Sequence, residues 1–157
     1  MSARAKPGYT LVEILIGLTI LAIVFSMGVA SYREFSRRQE LNGYIKKAIS
    51  DIRLIQQKAL SGQKPDAGLG SCSRLDAYSF VTNGGSSYSI VANCVGGNVT
   101  IKSVDLGNIT VSATTANTRF KVLGLGTDLP GDNILTFRST LTGNVATLTI
   151  GKGGDVK

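Results

Sequence analysis

The chain has 157 residues, of which 43% are apolar and 17% are charged, and its formal net charge is +7. This apolar content argues against a disordered chain, which needs low hydrophobicity and high charge. The sequence has no histidine and only two cysteines, which excludes Ser-His-Asp and Cys-His catalysis, His-ligated metal sites and four-thiolate clusters. We therefore expect no enzyme activity, no cofactor and no metal site.

The positive charge is unevenly distributed along the chain. Residues 33–64 have a net charge of +5, whereas residues 65–157 have a net charge of only +1. A nearly neutral C-terminal part lacks the excess of basic residues that is typical of nucleic-acid-binding domains. The basic excess directly follows an apolar run, where lipid phosphates or acidic neighbours could bind, although a solvated helix face shows the same pattern.

The first third of the sequence predicts one long helix. Residues 11–30 form an almost wholly apolar run, which as a helix is about 30 Å long and can span a bilayer. From residue 41 to residue 59, apolar side chains recur every three or four positions, and the residues between them, Asp51 included, are polar. This pattern indicates an amphipathic helix on a core, with a stop at Gly62 and Pro65. An uninterrupted helix over 9–60 measures roughly 78 Å, and the remaining residues form a domain too small to bury that length. The apolar first half of the helix therefore needs contact with lipid or with other copies of itself.

The C-terminal part predicts a small β domain. Seven segments with period-two alternation are separated by Gly/Asn turns, namely Ala77–Thr82, Ser87–Ala92, Val99–Leu106, Ile109–Ala113, Arg119–Leu123, Ile134–Arg138 and Val145–Ile150. The expected fold class is α+β, with an antiparallel sheet packed on the helix. The core candidates are Tyr78, Phe80, Tyr88, Ile90, Phe120, Val122, Leu135, Phe137, Leu148 and Ile150.

The segment before the apolar run reads Lys-Pro-Gly-Tyr-Thr-Leu-Val-Glu from Lys6 to Glu13. A carboxylate at the edge of an apolar run is costly and therefore indicates a function. The segment resembles the class III signal of type IV pilins and type II secretion pseudopilins. The resemblance implies a pilin-like fold, cleavage by prepilin peptidase between Gly8 and Tyr9, and N-methylation of Tyr9. It also implies that Glu13 pairs with the new ammonium group, on its own chain or on the next subunit, and sets the register of assembly.

The resemblance divides the chain into four parts. Residues 1–8 are the leader peptide, 9–31 a membrane-spanning and filament-core helix, 32–61 an amphipathic helix, and 62–157 a β-rich globular domain. The implied function is that of a structural subunit of a type IV pilus or a type II secretion pseudopilus. The implied location is the cytoplasmic (inner) membrane, crossed once with the leader inside and the C-terminal domain outside, followed by an extracytoplasmic filament. The implied partners are prepilin peptidase, other pilin or pseudopilin subunits, an assembly platform protein and inner-membrane lipid.

This topology also bears on the cysteines. With the C-terminal domain outside the cytoplasm, an even pair of cysteines is most simply one disulfide, so Cys72 and Cys94 are expected to be bonded.

The end of the helix and the end of the chain carry a looser resemblance. Asp51–Leu60 and Ile134–Lys157 are similar to the helix end and the closing hairpin and tail of FimT/GspH-type minor pseudopilins. Some FimT-like pilins bind DNA through a Gly-Arg-x-Arg ending. Here Asp155 stands where a cation is expected, and contact with phosphate needs positive charge, so DNA uptake remains an alternative that we do not favour. Its residues are Arg138, Lys152 and Lys157.

A secreted β-domain protein is the other alternative. An ordinary signal peptide uses Arg4 and Lys6 as its basic region, residues 11–25 as its apolar region, and cleavage after Ala30. Glu13 inside the apolar region and the amphipathic helix behind it argue against this interpretation.

Overall fold

The computed structural model describes residues 10–66 and 72–157. The described chain contains one helix, α1 (Leu11–Ser61), followed by seven strands: β1 (Leu75–Thr82), β2 (Ser87–Cys94), β3 (Gly97–Asp105), β4 (Ile109–Ala113), β5 (Asn117–Lys121), β6 (Asn133–Ser139) and β7 (Val145–Ile150). The chain forms two compact units, residues 1–37 and residues 38–157. The first unit contains the apolar half of α1, and the second contains the rest of α1 and all seven strands. The predicted α+β architecture is confirmed.

The second half of α1 buries one face. Its buried side chains follow the predicted spacing of three or four residues, and they are Leu41, Ala48, Ile52, Ile55 and Ala59. Two backbone bonds close the last turn, from the Gly62 N–H to the Ala59 carbonyl (3.1 Å) and from the Gln63 N–H to the Lys58 carbonyl (3.1 Å). Gly62 has a φ of +62°, a left-handed conformation that glycine adopts without strain. The helix therefore ends where the sequence predicts.

The strands form two antiparallel sheets. The first has the order β3-β2-β1-β5 and the second has the order β4-β6-β7. In the first sheet, Tyr78 of the central strand β1 lies opposite Ala92 of β2 and Phe120 of β5. Both sheets and α1 contribute to one hydrophobic core. Nine of the ten predicted core residues are buried, whereas Val122 is only partly buried.

The exception has a local cause. The predicted strand Arg119–Leu123 is placed too late, since β5 covers Asn117–Lys121 and a 3-10 turn follows at Val122–Gly124. Leu123 has a φ of +58°, so the chain enters the left-handed region where a strand cannot continue. The strand therefore stops before Val122, and Leu123 is 74% exposed.

The cysteine pair ties the segment after the helix to the first sheet. Cys72 and Cys94, 22 positions apart, form the predicted disulfide at the end of β2. Next to it, the Val95 N–H donates to the Arg74 carbonyl (2.9 Å) and the Ser73 hydroxyl donates to the Val95 carbonyl (3.1 Å). The disulfide thus lies within a hydrogen-bonded junction.

Candidate functional site in the first half of the helix

Of the three residues that the sequence assigns to processing and assembly, the structure describes one. Gly8 and Tyr9 lie outside the described residues. Glu13 lies in the first turn of α1 and is exposed. Its backbone N–H donates to the Thr10 carbonyl (3.1 Å) and to the Thr10 hydroxyl (3.3 Å). Thr10 therefore caps the helix.

The capping role of Thr10 is a feature that the sequence interpretation missed. Residues 10–13 read Thr-Leu-Val-Glu, and a Ser or Thr followed three residues later by Glu is the pattern of a capping box. A carboxylate in the first turn also lies near the positive end of the helix dipole. The first helical turn therefore stabilises the Glu13 carboxylate even without a new amino group at Tyr9. This stabilisation lowers the free-energy cost of a carboxylate beside the apolar run.

The first half of α1 exposes its apolar side chains on all sides. The large apolar residues that the structure describes there are between 52% (Ile14) and 81% (Leu11) exposed; these are Leu11, Val12, Ile14, Leu15, Ile16, Leu18, Ile20, Leu21, Ile23, Val24, Phe25, Val29, Tyr32 and Phe35. Soluble proteins rarely leave so large an apolar surface in water, and such a surface indicates contact with a membrane or with another protein.

Two hydroxyl groups within this apolar run bond to their own helix. The Thr19 hydroxyl donates to the Ile16 carbonyl (2.8 Å) and the Ser26 hydroxyl donates to the Ile23 carbonyl (2.7 Å). Neither group then needs water, so both are compatible with an apolar environment. Among the residues that the structure describes, α1 has a stretch long and apolar enough to cross a membrane.

Comparison with known families identifies the start of the chain. Residues 3–29 match the family model of the prokaryotic N-terminal methylation motif. The chain carries a prepilin-type methylation motif. The methylation motif implies a pilin or pseudopilin. Proteins of this kind are processed by prepilin peptidase and assemble with other pilins. The motif thus supports a resemblance to the type IV pilin-like family, whose members are typically structural subunits. The motif and the exposed apolar helix together fit anchoring in a membrane.

The match includes Gly8, Tyr9 and Glu13 and ends before the amphipathic half of the helix and the β domain. No curated protein and no solved structure matched the chain.

The three residues proposed for the DNA alternative do not come together. Arg138 lies opposite Val145 at one end of the β6–β7 pair, whereas Asn133 lies opposite Ile150 at the other end. Asn133 and Arg138 are five residue steps apart along β6, which corresponds to roughly 17 Å. Lys152 follows Ile150 and therefore lies at the end remote from Arg138.

Lys157 already has an acidic partner. Its ammonium group lies 3.0 Å from the Asp155 carboxylate. Hydrogen bonding to Lys157 lowers the pKa of the Asp155 carboxyl, so this carboxylate stays ionised beside the cation. The acidic residue at the position where the DNA-binding ending has a cation thus offsets the charge of Lys157.

Proposed function

We propose that the chain is a pilin-like structural subunit of a type IV pilus or a type II secretion pseudopilus, of the FimT/GspH minor type. The observation that supports this proposal is the position of the methylation motif, which overlaps the first half of α1, where the described large apolar side chains are exposed. The looser similarity of Asp51–Leu60 and Ile134–Lys157 to FimT/GspH-type proteins supports the minor type.

Processing is the first step of the proposed function. Prepilin peptidase cleaves between Gly8 and Tyr9 and releases the leader 1–8, and the new amino group of Tyr9 is N-methylated. Residues 9–31 then form the membrane-spanning and filament-core helix, residues 32–61 its amphipathic continuation, and residues 62–157 the globular domain.

Before assembly, the subunit crosses the cytoplasmic membrane once, with its leader inside and its globular domain outside. Lipid chains cover the apolar side chains of α1 that the rest of the protein leaves exposed. Thr10 and Glu13 lie at the cytoplasmic boundary, where the first helical turn keeps access to water and headgroups. This position costs a carboxylate less than the bilayer centre, where the cost is about 2.5–3.5 kcal/mol.

Assembly then exchanges lipid contacts for helix contacts. An assembly platform protein moves the subunit into the filament, where the apolar helices of neighbouring subunits pack together and the β domains face outward. Glu13 enters an environment without water and needs a cation there, because an unpaired buried charge is strongly destabilising. The Tyr9 ammonium of the same or the next subunit supplies that charge, which aligns the subunits along the filament axis.

Mass spectrometry of the N-terminal peptide of the mature protein tests this proposal. We expect the peptide to begin at N-methylated Tyr9. Gly8→Val should abolish this cleavage, whereas the matched change Ala5→Val in the leader should leave it intact. A mature protein that begins at Ser31 would support secretion through an ordinary signal peptide, and a protein that keeps its leader in the presence of the peptidase would contradict processing. Either result overturns the proposal.

A further inference from the structure

Three arginines follow the apolar run of α1, namely Arg33, Arg37 and Arg38. No charged residue occurs between Glu13 and Arg33, and these two positions, both in the first compact unit, lie 20 residues apart. At 1.5 Å per residue, they are separated by about 30 Å along the helix, which is the thickness of the hydrocarbon core of a bilayer. Arg37 lies one helical turn beyond Arg33. When Glu13 is at one boundary of a bilayer, Arg33 is therefore at the other.

The side chains at this end of the run are available for contact. Tyr32 is 72% exposed, Arg33 is exposed and Arg37 is partly exposed. Within residues 10–66 and 72–157, the guanidinium groups of Arg33 and Arg37 make no ion pair or hydrogen bond with another side chain. Residues four apart on a helix share one face, so the two arginines present adjacent positive charges on the same side of α1.

This combination matches the chemistry of a lipid headgroup layer. A guanidinium binds the oxygens of a phosphate with two parallel hydrogen bonds. Tyrosine is enriched at the boundary between hydrocarbon and water, with its ring in the apolar layer and its hydroxyl among the headgroups. Arginine side chains near the end of a membrane helix extend toward the same layer. Tyr32, Arg33 and Arg37 thus combine an interfacial aromatic ring with two phosphate-binding cations.

Topology does not account for these arginines. Cations near a membrane span are normally concentrated on the cytoplasmic side. In the proposed orientation, Arg33 and Arg37 lie on the opposite side, where they oppose this rule. The distribution of cations across the membrane therefore does not explain their position, and anionic phospholipids are the molecules of opposite charge that lie beside them in the membrane-resident state.

We propose that Arg33 and Arg37, together with Tyr32, bind the headgroups of anionic phospholipids at the extracytoplasmic surface of the membrane. This inference rests on the proposed function, because it requires α1 to cross the membrane before assembly. The bound headgroups fix the depth of the helix in the bilayer, and they hold Glu13 at the opposite boundary. Extraction of the subunit into a filament must break these contacts. The content of anionic lipid therefore affects the free-energy cost of moving the subunit from the membrane into the filament.

Lipid selectivity measured on the full mature chain tests this inference. The protein is reconstituted into phosphatidylcholine vesicles that contain a trace of spin-labelled phosphatidylglycerol or spin-labelled phosphatidylcholine. Electron paramagnetic resonance then gives the fraction of each lipid that the protein immobilises. Because one arginine near a membrane surface contributes an attraction that corresponds to about fivefold in affinity, we expect phosphatidylglycerol to be favoured about fivefold or more.

Two double variants make the measurement specific. R33Q/R37Q should reduce the preference for phosphatidylglycerol at least threefold. K46Q/K47Q removes the same charge from two exposed lysines of the second compact unit and should keep the preference. An unchanged preference in R33Q/R37Q, or an equal loss in K46Q/K47Q, would overturn the inference while leaving the filament proposal intact. In the first case, a filament defect in R33Q/R37Q would indicate that the arginines bind an acidic protein surface instead.

Failure of the proposed function gives a different result. A chain that alkaline carbonate extracts from the vesicles does not span them, and this outcome would overturn both proposals together.

Discussion

The Asp51 carboxylate, on the buried face of α1, accepts a 2.8 Å hydrogen bond from the Tyr88 hydroxyl of β2. The ammonium group of Lys102 in β3 donates to both oxygens of the same carboxylate, at 2.8 and 3.0 Å. The Asp51 side chain is only 7% exposed, whereas that of Lys102 is 41% exposed. A buried carboxylate is tolerated only with such partners. Asp51 thus fixes α1 to two neighbouring strands of the first sheet.

Replacement of Asp51 should destabilise the globular part of the chain. Asp51→Ala leaves the Tyr88 hydroxyl without its acceptor and Lys102 without its counter-ion. Since Lys102 can still reach water, we expect a loss of about 2–3 kcal/mol in the free energy of unfolding, below the values for fully buried pairs. Thermal unfolding of the detergent-solubilised chain, followed by circular dichroism, measures this loss.

Asp76 offers a matched control for this prediction. It forms an ion pair with Arg74 in which both side chains are well exposed, and such pairs contribute little to stability. Asp76→Ala should therefore change the free energy of unfolding by less than about 1 kcal/mol. Equal effects of the two substitutions would contradict the role assigned to Asp51.

The Tyr88 hydroxyl gives this contact a distinct dependence on pH. Burial raises the pKa of Tyr88 far above its ordinary value, and the neighbouring Asp51 carboxylate raises it further. Tyrosine ionises near pH 10 in an unfolded chain, so ionisation above that pH favours the unfolded state. The stabilisation from Tyr88 is complete below pH 10 and declines as the pH rises further.

Tyr88→Phe isolates this effect. At neutral pH, we expect the variant to be less stable than the natural chain by about 1.5 kcal/mol, because it lacks one hydrogen bond to a carboxylate. Above pH 10, the difference should shrink, since only the natural chain loses stability through this hydroxyl. Urea unfolding at pH 7 and at several values above pH 10 measures the difference. A gap that stays constant across this range would show that Tyr88 does not titrate as described.

The contacts of Asp51 could not be predicted from the sequence. Its polar character places it among the residues between the apolar positions of α1, yet it is buried. Its two partners lie 37 and 51 positions further along the chain, and a local pattern carries no information about contacts over that distance. The apolar positions of α1 and the seven strands follow from periodicity because burial of one face is a local requirement. β5 ends at Lys121, before the predicted end at Leu123, because Leu123 adopts a left-handed conformation. A leucine in the sequence gives no indication of that conformation.

The same distinction applies to the candidate site. Glu13, Gly8 and Tyr9 stand out because the methylation motif is contiguous and precedes a run without charge. The capping role of Thr10 can also be predicted from the sequence, because its spacing from Glu13 is that of a capping box. The lipid contacts proposed for Arg33 and Arg37 depend on exposure and on missing partners within the described chain, which only the structure provides.

The disulfide should contribute strongly to the stability of the β domain. Cys72 and Cys94 close a loop with a sequence separation of 22, and loss of this restraint from the unfolded chain costs about 3 kcal/mol in the chain-entropy model. We expect C72A/C94A to unfold at a clearly lower temperature than the natural chain. A reducing agent should lower the unfolding temperature of the natural chain to a similar value and should not affect the double variant. A natural chain that is insensitive to reduction would contradict this role.

Two adjacent glycines near the C-terminus should respond differently to alanine. Gly154 is buried with a φ of +94°, its carbonyl accepts a hydrogen bond from the Gln56 side chain of α1, and an added Cβ would lie 3.6 Å from Phe120. Gly153 is exposed, and its φ lies outside the left-handed region. Gly154→Ala should therefore cost about 1–2 kcal/mol, and Gly153→Ala about 0.5 kcal/mol or less. Urea unfolding of both variants checks the difference, and equal effects would contradict it.

The proposed role of Glu13 predicts a defect in assembly that is separate from processing. Glu13→Gln keeps the size and polarity of the side chain but removes the charge, so it cannot pair with the Tyr9 ammonium. We expect N-terminal cleavage to proceed normally, as measured by mass spectrometry, while the amount of subunit in sheared filaments falls at least tenfold. Thr19→Val is the control within the same apolar run, because the Thr19 hydroxyl bonds only to the Ile16 carbonyl of its own helix and its loss should leave assembly unchanged. Normal incorporation of Glu13→Gln would show that the charge of this carboxylate does not align the subunits. Impaired incorporation of Thr19→Val would show that assembly is sensitive to any substitution in the run and that the defect of Glu13→Gln is not specific to its charge.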